Sequence, residues 1–183
     1  MLKLNIETDE DLIIECNIPN GWDEVTVGTY EKLMDLKQDG TNLSMYIQIL
    51  SVLSGLDKDV IEDISAVDFQ KITDAISFTQ TQIENETLVD HIELNGEKYY
   101  LKKDFEDLTL GEQASIEILM NKYDGKLEKA IKELLCIFLR KKKENGKLEK
   151  FKNSMMDRAE SFNDVIIGEV YQLFLFFSTG KTS

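Results

Sequence analysis

The sequence predicts an α+β protein, mainly helical, with two tandem units that each consist of a β-hairpin followed by helices and that share one core. Three observations predict this fold class. A short motif occurs twice along the chain, an alternating hairpin pattern precedes each occurrence, and apolar residues at helical spacing follow each one. The first unit is predicted to span residues 1–88 and the second residues 89–183.

Each predicted unit begins with a hairpin of two strands in which apolar and polar residues alternate. The strands of the second hairpin flank Asn95-Gly96, a strong short hairpin signal because both residue types tolerate the positive φ that the favoured turn needs. The first hairpin has a polar turn at residues 8–11. The predicted strands are residues 2–6, 12–18, 91–94 and 98–101.

The repeated motif, which we call the cap motif, has an aromatic residue, two acidic residues, an aliphatic residue, Thr, a second aliphatic residue and Gly. Its two occurrences are residues 22–28 and 105–111. In the second, Thr109 and Glu112 have the spacing of a capping box, in which the Thr hydroxyl accepts from a free helix amide and the Glu bonds back. In the first, Thr26 is predicted to cap the helix alone. Helix capping therefore accounts for the motif without a functional role.

Apolar residues recur every three or four positions after each cap motif, which predicts two helices in each unit, separated by a polar Asp-Gly pair. A structural repeat would place Trp22 and Phe105 at equivalent buried positions. Further periodicity predicts additional helices in both units. The predicted helices are residues 27–37, 43–54, 58–64, 67–83, 110–122, 127–142 and 148–177.

The last predicted helix is apolar on more than one face. Such a helix is buried on several sides, so one interpretation is a central core helix that joins both units. The other interpretation is a docking surface that stays exposed until a partner covers it. The aromatic residues that the second interpretation makes candidates for partner binding are Tyr171, Phe174, Phe176 and Phe177.

The sequence contains one basic run of four residues, at the end of a predicted helix. Cations at this position stabilise the negative end of the helix dipole, which is a structural interpretation of the run. Alternatively, the run contacts an acidic partner or packaged DNA. The candidate partner-binding residues on that second interpretation are Arg140, Lys141, Lys142 and Lys143.

The net charge of −14 lies entirely in the first half of the chain. Residues 1–90 contain 19 of the 35 acidic residues and 5 of the 21 basic ones, whereas acidic and basic residues balance over 91–183. Such a field repels nucleic acid, which is therefore an unfavourable partner, and it attracts basic partners. No apolar run reaches about 18 residues, so no membrane-spanning helix is predicted.

The sequence offers no pattern typical of catalysis, and it predicts a non-enzymatic protein without cofactor or metal site. His91 is the only histidine, so a multi-histidine metal site is excluded and no catalytic triad can be drawn with confidence. The acidic clusters lack the spacing of a calcium-binding loop. Gly180-Lys181-Thr182 matches the end of a phosphate-binding loop, but no Gly stands at the earlier position where such a loop requires one.

Residues 19–33, which include the first cap motif, and residues 47–56 together resemble small acidic proteins of tailed bacteriophages. These proteins are described as tail assembly chaperones or small virion proteins, and some occur in crAss-like phages. The resemblance covers about residues 15–80. It implies a non-enzymatic protein that binds other phage proteins, in tail or virion assembly or as a virion component, in the host cytoplasm during infection or in the virion itself.

Two other expectations stay open beside this one. The first is a phage-packaged cargo protein or an intracellular regulatory protein that binds a host target. The second is self-association into a homo-oligomer, through the aromatic segment, a hairpin edge or the charge difference between the two halves. Neither expectation involves a membrane.

Overall fold

The computed structural model describes residues 1–7, 13–36, 41–84, 89–102 and 107–178. It is an α+β protein with 56% helix, 15% strand and two small antiparallel sheets, which confirms the predicted fold class. The chain divides into two compact units. The first consists of Met1–Val25 and Lys32–Glu84, and the second of Thr26–Glu31 and Asn85–Ser183.

The first unit begins with the predicted hairpin. Strands β1 (Leu2–Glu7) and β2 (Ile13–Ile18) pair antiparallel. Because successive side chains of a strand point to opposite faces, β2 buries Cys16 and Ile18 and leaves Ile13 exposed. The thiol of Cys16 is free, and burial raises its pKa, as expected of a small apolar core residue. The predicted turn at residues 8–11 lies outside the described residues.

Four helices follow in sequence: α1 (Val27–Met34), α2 (Asn42–Ser54), α3 (Lys58–Glu62) and α4 (Ala66–Ala75), the last continued by a 3-10 helix over Ile76–Gln80. Helix α1 begins in the second unit and ends in the first. Polar N-caps fix two of the starts: Thr41 Oγ1 accepts the Ser44 amide at 3.2 Å, and Ser65 Oγ accepts the Asp68 amide at 3.1 Å. The core residues that these helices contribute include Leu50, Leu53, Ile61, Ile72 and Ile76.

The second unit contains a three-stranded antiparallel sheet in the order β3 (His91–Leu94), β4 (Glu97–Leu101) and β5 (Leu139–Arg140). The turn between β3 and β4 is the predicted one, since Asn95 and Gly96 both adopt positive φ, at 53° and 76°. Three helices complete the unit: α5 (Leu110–Lys122), α6 (Ile131–Phe138) and α7 (Ile167–Ser178). Two 3-10 helices span Leu127–Lys129 and Asn153–Phe162.

Helix α6 is the centre of this unit. Every side chain from Leu134 to Phe138 is buried, and Phe162 packs nearby without exposure. Burial raises the pKa of the free thiol of Cys136 to about 12, so this cysteine also behaves as a core residue. The ring of Phe162 meets the ring of Tyr99 edge-on, with 5.5 Å between centroids.

The prediction of one helix over residues 127–142 is wrong. Helix α6 ends at Phe138, and the chain continues as β5, with Leu139 opposite Leu101 and Arg140 opposite Tyr100. Pairing with β4 satisfies the backbone of β5, and Arg140 turns inward toward a carboxylate 28 residues earlier. Both interactions are distant in sequence, so helical periodicity cannot reveal them.

The prediction of one helix over residues 148–177 is also wrong. Lys142 and Leu148 form an isolated antiparallel bridge around a turn at Asn145-Gly146, and Gly146 adopts a φ of 76°. A 3-10 helix follows, and α7 begins only at Ile167. The Asn-Gly pair is itself a turn signal, and its preference outweighs the apolar periodicity that follows it.

Both predicted helix caps are confirmed. Thr26 Oγ1 accepts the Thr29 amide at 3.2 Å at the start of α1. At the start of α5, Thr109 and Glu112 form the predicted capping box. Phe105 lies outside the described residues, so its equivalence to Trp22 stays a prediction.

Candidate protein-binding surface

A third occurrence of the cap motif, which the sequence analysis missed, lies at residues 162–168. It reads Phe-Asn-Asp-Val-Ile-Ile-Gly, and it keeps the aromatic residue, the second acid, both aliphatic positions and the Gly. Ile166 replaces the capping Thr, which concealed the match. The structure reveals the relationship, because helices α1, α5 and α7 begin at the same motif position: Val27, Leu110 and Ile167.

The end of the first occurrence, residues 26–28, pairs with the third occurrence within the second unit. Thr26 and Ile166, which occupy the same motif position, form an antiparallel bridge. The Val27 amide donates to the carbonyl of Val165 at 2.8 Å, and the Gly28 amide donates to that of Asn163 at 3.0 Å. These bonds satisfy two of the amides that a helix start otherwise leaves free.

Close contact accompanies this pairing. Val27 and Ile167, which follow the bridged residues, are both 0% exposed. A Cβ atom on Gly28 would lie only 2.7 Å from Asn163 Oδ1 and 3.2 Å from its Cγ. The Gly of the motif is therefore required here by the approach of the other occurrence.

The second occurrence has no such neighbour in the part of the chain that the structure describes. Leu110, the counterpart of Val27 and Ile167, is 84% exposed. The amides of Leu110 and Gly111 have no acceptor among the described residues. A Cβ atom on Gly111 would meet only Phe151 Cδ1, at an ordinary 3.7 Å. The described part of the chain therefore leaves Leu110 uncovered, and it leaves room for a Cβ atom at Gly111.

Behind this exposed helix start lies a buried ion-pair network. Glu112 is 3% exposed, and its carboxylate accepts from Arg140 Nη2 at 3.0 Å and Lys102 Nζ at 2.7 Å. The amide and hydroxyl of Thr109 donate to it at 2.8 and 2.9 Å. Burial raises the pKa of Glu112, but the bonds from Lys102 and Thr109 outweigh burial and hold that pKa below its usual value. The network fixes the start of α5 against β5.

The basic run therefore divides into two parts. Arg140 is 1% exposed, and besides Glu112 it donates to the carbonyl of Cys136 at 2.7 Å, at the end of α6. This geometry fits the interpretation of a cation at a helix C-terminus. The guanidinium also lies 5.1 Å from the centroid of the Phe151 ring. Arg140 is thus a core residue, and the surface of the run consists of its lysines.

The lysines lie on a turn between β5 and Leu148, which we call the basic turn (residues 141–148). Lys141 forms an ion pair with Glu97, and Lys142 Nζ lies 3.7 Å from the centroid of the Tyr100 ring. Lys142, Lys143 and Lys147 are exposed, and no carboxylate of the described residues lies within ion-pair distance of them. The basic turn therefore presents three cations that no carboxylate of the described residues neutralises, on a chain of net charge −14.

The aromatic candidates on α7 lie in the interior of the second unit where their side chains are described. Phe174 is buried, and Tyr171 is half-buried between Tyr30 and Phe174, at centroid distances of 6.0 and 5.4 Å. Burial, with a contribution from Tyr171, raises the pKa of Tyr30. The side chains of Phe176 and Phe177 lie outside the described residues. The described part of this segment fits a core helix of its unit.

A groove of about 540 Å³ separates the start of α5 from the chain that follows the basic turn. Its walls include Gly111, Leu148, Phe151 and Asn153, with Glu112 and Arg140 at its floor. Among the described residues, no group of three or more His, Cys, Asp or Glu side chains is placed to hold a metal ion. No helix in the described ranges is long and apolar enough to cross a membrane.

Comparison with known protein families, with curated proteins and with solved structures finds no match to this chain.

Proposed function

We propose that this protein is a non-enzymatic bacteriophage protein that binds other phage proteins, during tail or virion assembly or as a component of the virion. The observation that carries the proposal is the basic turn. On this short, hydrogen-bonded turn, Lys142, Lys143 and Lys147 have no carboxylate of the described residues within ion-pair distance. The sequence of the strongly acidic chain has no other basic run of this length. Such a local reversal of charge attracts an acidic protein surface and orients it.

Two further observations support a protein partner over nucleic acid. The overall charge of −14 repels a phosphate backbone. Tyr100 is the aromatic ring beside these cations, and its neighbours already occupy it: Lys142 Nζ lies over the ring, and the His91 ring stacks on it with 5.3 Å between centroids. A base would have to displace one of them in order to stack there. The phage context comes from the resemblance of residues 15–80 to small acidic proteins of tailed phages.

The proposal is tested by capture from infected cells. A tagged chain is cross-linked in cells during infection, purified, and its partners are identified by mass spectrometry. We expect phage tail or head proteins, and we expect Lys142→Glu with Lys143→Glu to lose them. The matched control is Lys58→Glu with Lys126→Glu, which changes the net charge equally at two exposed lysines elsewhere.

Three outcomes separate the alternatives. Phage structural proteins lost only in the basic-turn variant support the proposal. Recovery of host proteins alone contradicts it and favours the host-directed regulatory protein. Equal loss in both variants shows that net charge, not the basic turn, governs binding, and also contradicts it. Mass spectrometry of gradient-purified virions then distinguishes a virion component, which is present at fixed stoichiometry, from a chaperone, which is absent.

A further inference from the structure

The three cap motifs share one sequence pattern, but two of them are paired with each other and the second is unpaired among the described residues. The first and third are paired through Thr26 and Ile166, and both aliphatic residues after the bridge are buried. The second carries the same pattern and starts a helix in the same way, yet Leu110 is 84% exposed. An exposed leucine alone is ordinary. An exposed leucine at a position that is buried in both sister motifs indicates a missing neighbour.

We propose that the missing neighbour is the same motif in a second copy of this chain, so that two copies pair through Thr109 and Leu110 about a two-fold axis. In the internal pair, the bridge joins equivalent motif positions in antiparallel orientation. Antiparallel pairing of equivalent positions from two identical chains is isologous, which is the usual symmetry of a homodimer. Where this fold covers a cap motif, the segment that pairs with it is another cap motif.

The internal pair also predicts the bonds of the dimer. Val27 donates to the carbonyl of Val165, and the counterparts of these residues are Leu110 and Leu108. The Leu110 amide of one copy would therefore donate to the Leu108 carbonyl of the other, and the symmetry would repeat the bond. Leu110 of each copy would be covered, as Val27 and Ile167 are covered inside the chain.

Gly111, the glycine of the second motif, also indicates that a second copy of the motif packs there. Gly28 is required because Asn163 of the paired motif lies against it, with 2.7 Å left for a Cβ atom. At Gly111 the described residues leave ample room for a Cβ atom. A Gly for which the described residues show no steric need is explained if the paired motif of a second copy approaches it.

The charges of the pair set its response to salt. Asp107 precedes Leu108 and is exposed, so the symmetric dimer brings two such carboxylates toward each other. Salt screens this repulsion, and the proposed contact contains no ion pair between the copies for salt to weaken. The dimer should therefore persist or strengthen as salt rises. Head-to-tail stacking of the acidic half on the basic turn would show the opposite response.

The experiment is sedimentation velocity of the full chain over a wide concentration range, at low and at high salt. We expect a monomer–dimer equilibrium for the wild type. Leu110→Glu should weaken dimerisation by about tenfold or more, because it places a charge at the centre of the contact. Gly111→Ala should weaken it as well, although it adds apolar surface. The matched control is Val67→Glu, which changes another exposed aliphatic residue, 70% exposed, at the start of α4.

Circular dichroism melting checks that each variant is folded, and both second-motif substitutions lie at exposed positions that the single chain tolerates. A wild type that stays monomeric at every concentration overturns the inference. So does a dimer that survives Leu110→Glu and Gly111→Ala, or one that dissociates as salt rises. The inference is independent of the proposed function, since Lys142→Glu with Lys143→Glu should abolish partner capture and leave the dimer intact.

Discussion

Thr26 and Ile166 occupy the same position of two cap motifs and form an antiparallel bridge with each other. Thr26 also caps α1, so one residue both starts a helix and joins two helix starts. The relationship explains why residues 26–31 belong to the second unit, although the chain on either side of them belongs to the first. The repeated motif is therefore a pairing element as well as a capping element.

The two glycines at equivalent motif positions should respond in opposite ways to Ala. Gly28→Ala should lower the free energy of unfolding by about 1–3 kcal/mol, because the new methyl group overlaps Asn163. Gly111→Ala should raise it by about 0.5–1 kcal/mol, since Ala is the better helix former and its Cβ atom would meet only Phe151, at an ordinary 3.7 Å. Urea denaturation at a concentration that keeps the protein monomeric measures both. Equal effects at the two positions would contradict the assigned pairing.

The buried pair of Glu112 and Arg140 should behave as a coupled unit. Glu112→Gln should cost about 3–5 kcal/mol, because it leaves a buried guanidinium without its counter-charge. Arg140→Met should cost less, because Lys102 still pairs with the Glu112 carboxylate. The double variant should cost clearly less than the two single costs together, and a double-mutant cycle by urea denaturation measures the difference. Additive costs would show that the two side chains do not stabilise each other.

Local signals in the sequence were sufficient for much of the fold. The turn at Asn95-Gly96 and the capping box of Thr109 and Glu112 depend on residues within a few positions of one another, and the structure has both. The end of α6 was not predictable in this way. The end of α6 depends on the pairing of β5 with β4 and on the bond from Arg140 to Glu112, which are distant in sequence. The basic run after α6 is typical of a helix C-terminus, so it predicts a helix that continues to residue 142.

The surface was less predictable than the fold. Arg140 and Lys141 are neighbours in one basic run, yet the first is buried and the second is not. Leu110 and Val27 have the same residue character and the same motif position, and only tertiary structure distinguishes the exposed one from the buried one. A direct comparison of residues 162–168 with residues 22–28 reveals the third motif if the fifth position is allowed to differ from Thr.

The stability of the second unit should fall in acid, and Lys102 should control part of that fall. The pKa of Glu112 is lower in the folded chain than its unfolded value of about 4.3, so its contribution is complete above that pH and is lost as pH falls through the folded pKa. Lys102→Met removes one of the donors to Glu112, which raises the pKa of Glu112 in the folded chain. The difference in unfolding free energy between neutral and acid pH should therefore shrink.

The matched control for this pH experiment is Lys98→Met. Lys98 pairs with Glu93 across the hairpin, and both side chains are exposed, so their interaction is weak. Denaturant titrations at several pH values should show a smaller change for Lys98→Met than for Lys102→Met. A pH dependence that is the same in the wild type and in Lys102→Met would contradict the role given to Lys102.

Trp22 should anchor the first unit through its ring and its N–H group. The ring meets Phe78 edge-on at 5.1 Å, and Nε1 donates to the carbonyl of Thr81 at 3.2 Å. Because Trp22 is half-buried, Trp22→Ala should cost about 2–3 kcal/mol, less than the 3–5 kcal/mol of a fully buried ring. Trp22→Phe should keep the ring contact and cost about 1 kcal/mol for the lost hydrogen bond. Circular dichroism measures unfolding, because both variants lack the only Trp. Equal costs of Trp22→Ala and Trp22→Phe would show that the hydrogen bond alone, and not the ring contact, anchors the unit.

The most direct test of the pairing is amide hydrogen exchange, residue by residue, in dilute monomeric protein. The amides of Val27 and Gly28 donate to the third motif, whereas those of Leu110 and Gly111 have no acceptor among the described residues. We expect strong protection at Val27 and Gly28 and exchange close to that of an open amide at Leu110 and Gly111. Protection at all four positions, or at none, would contradict the conclusion that the first and third cap motifs are paired and the second is free.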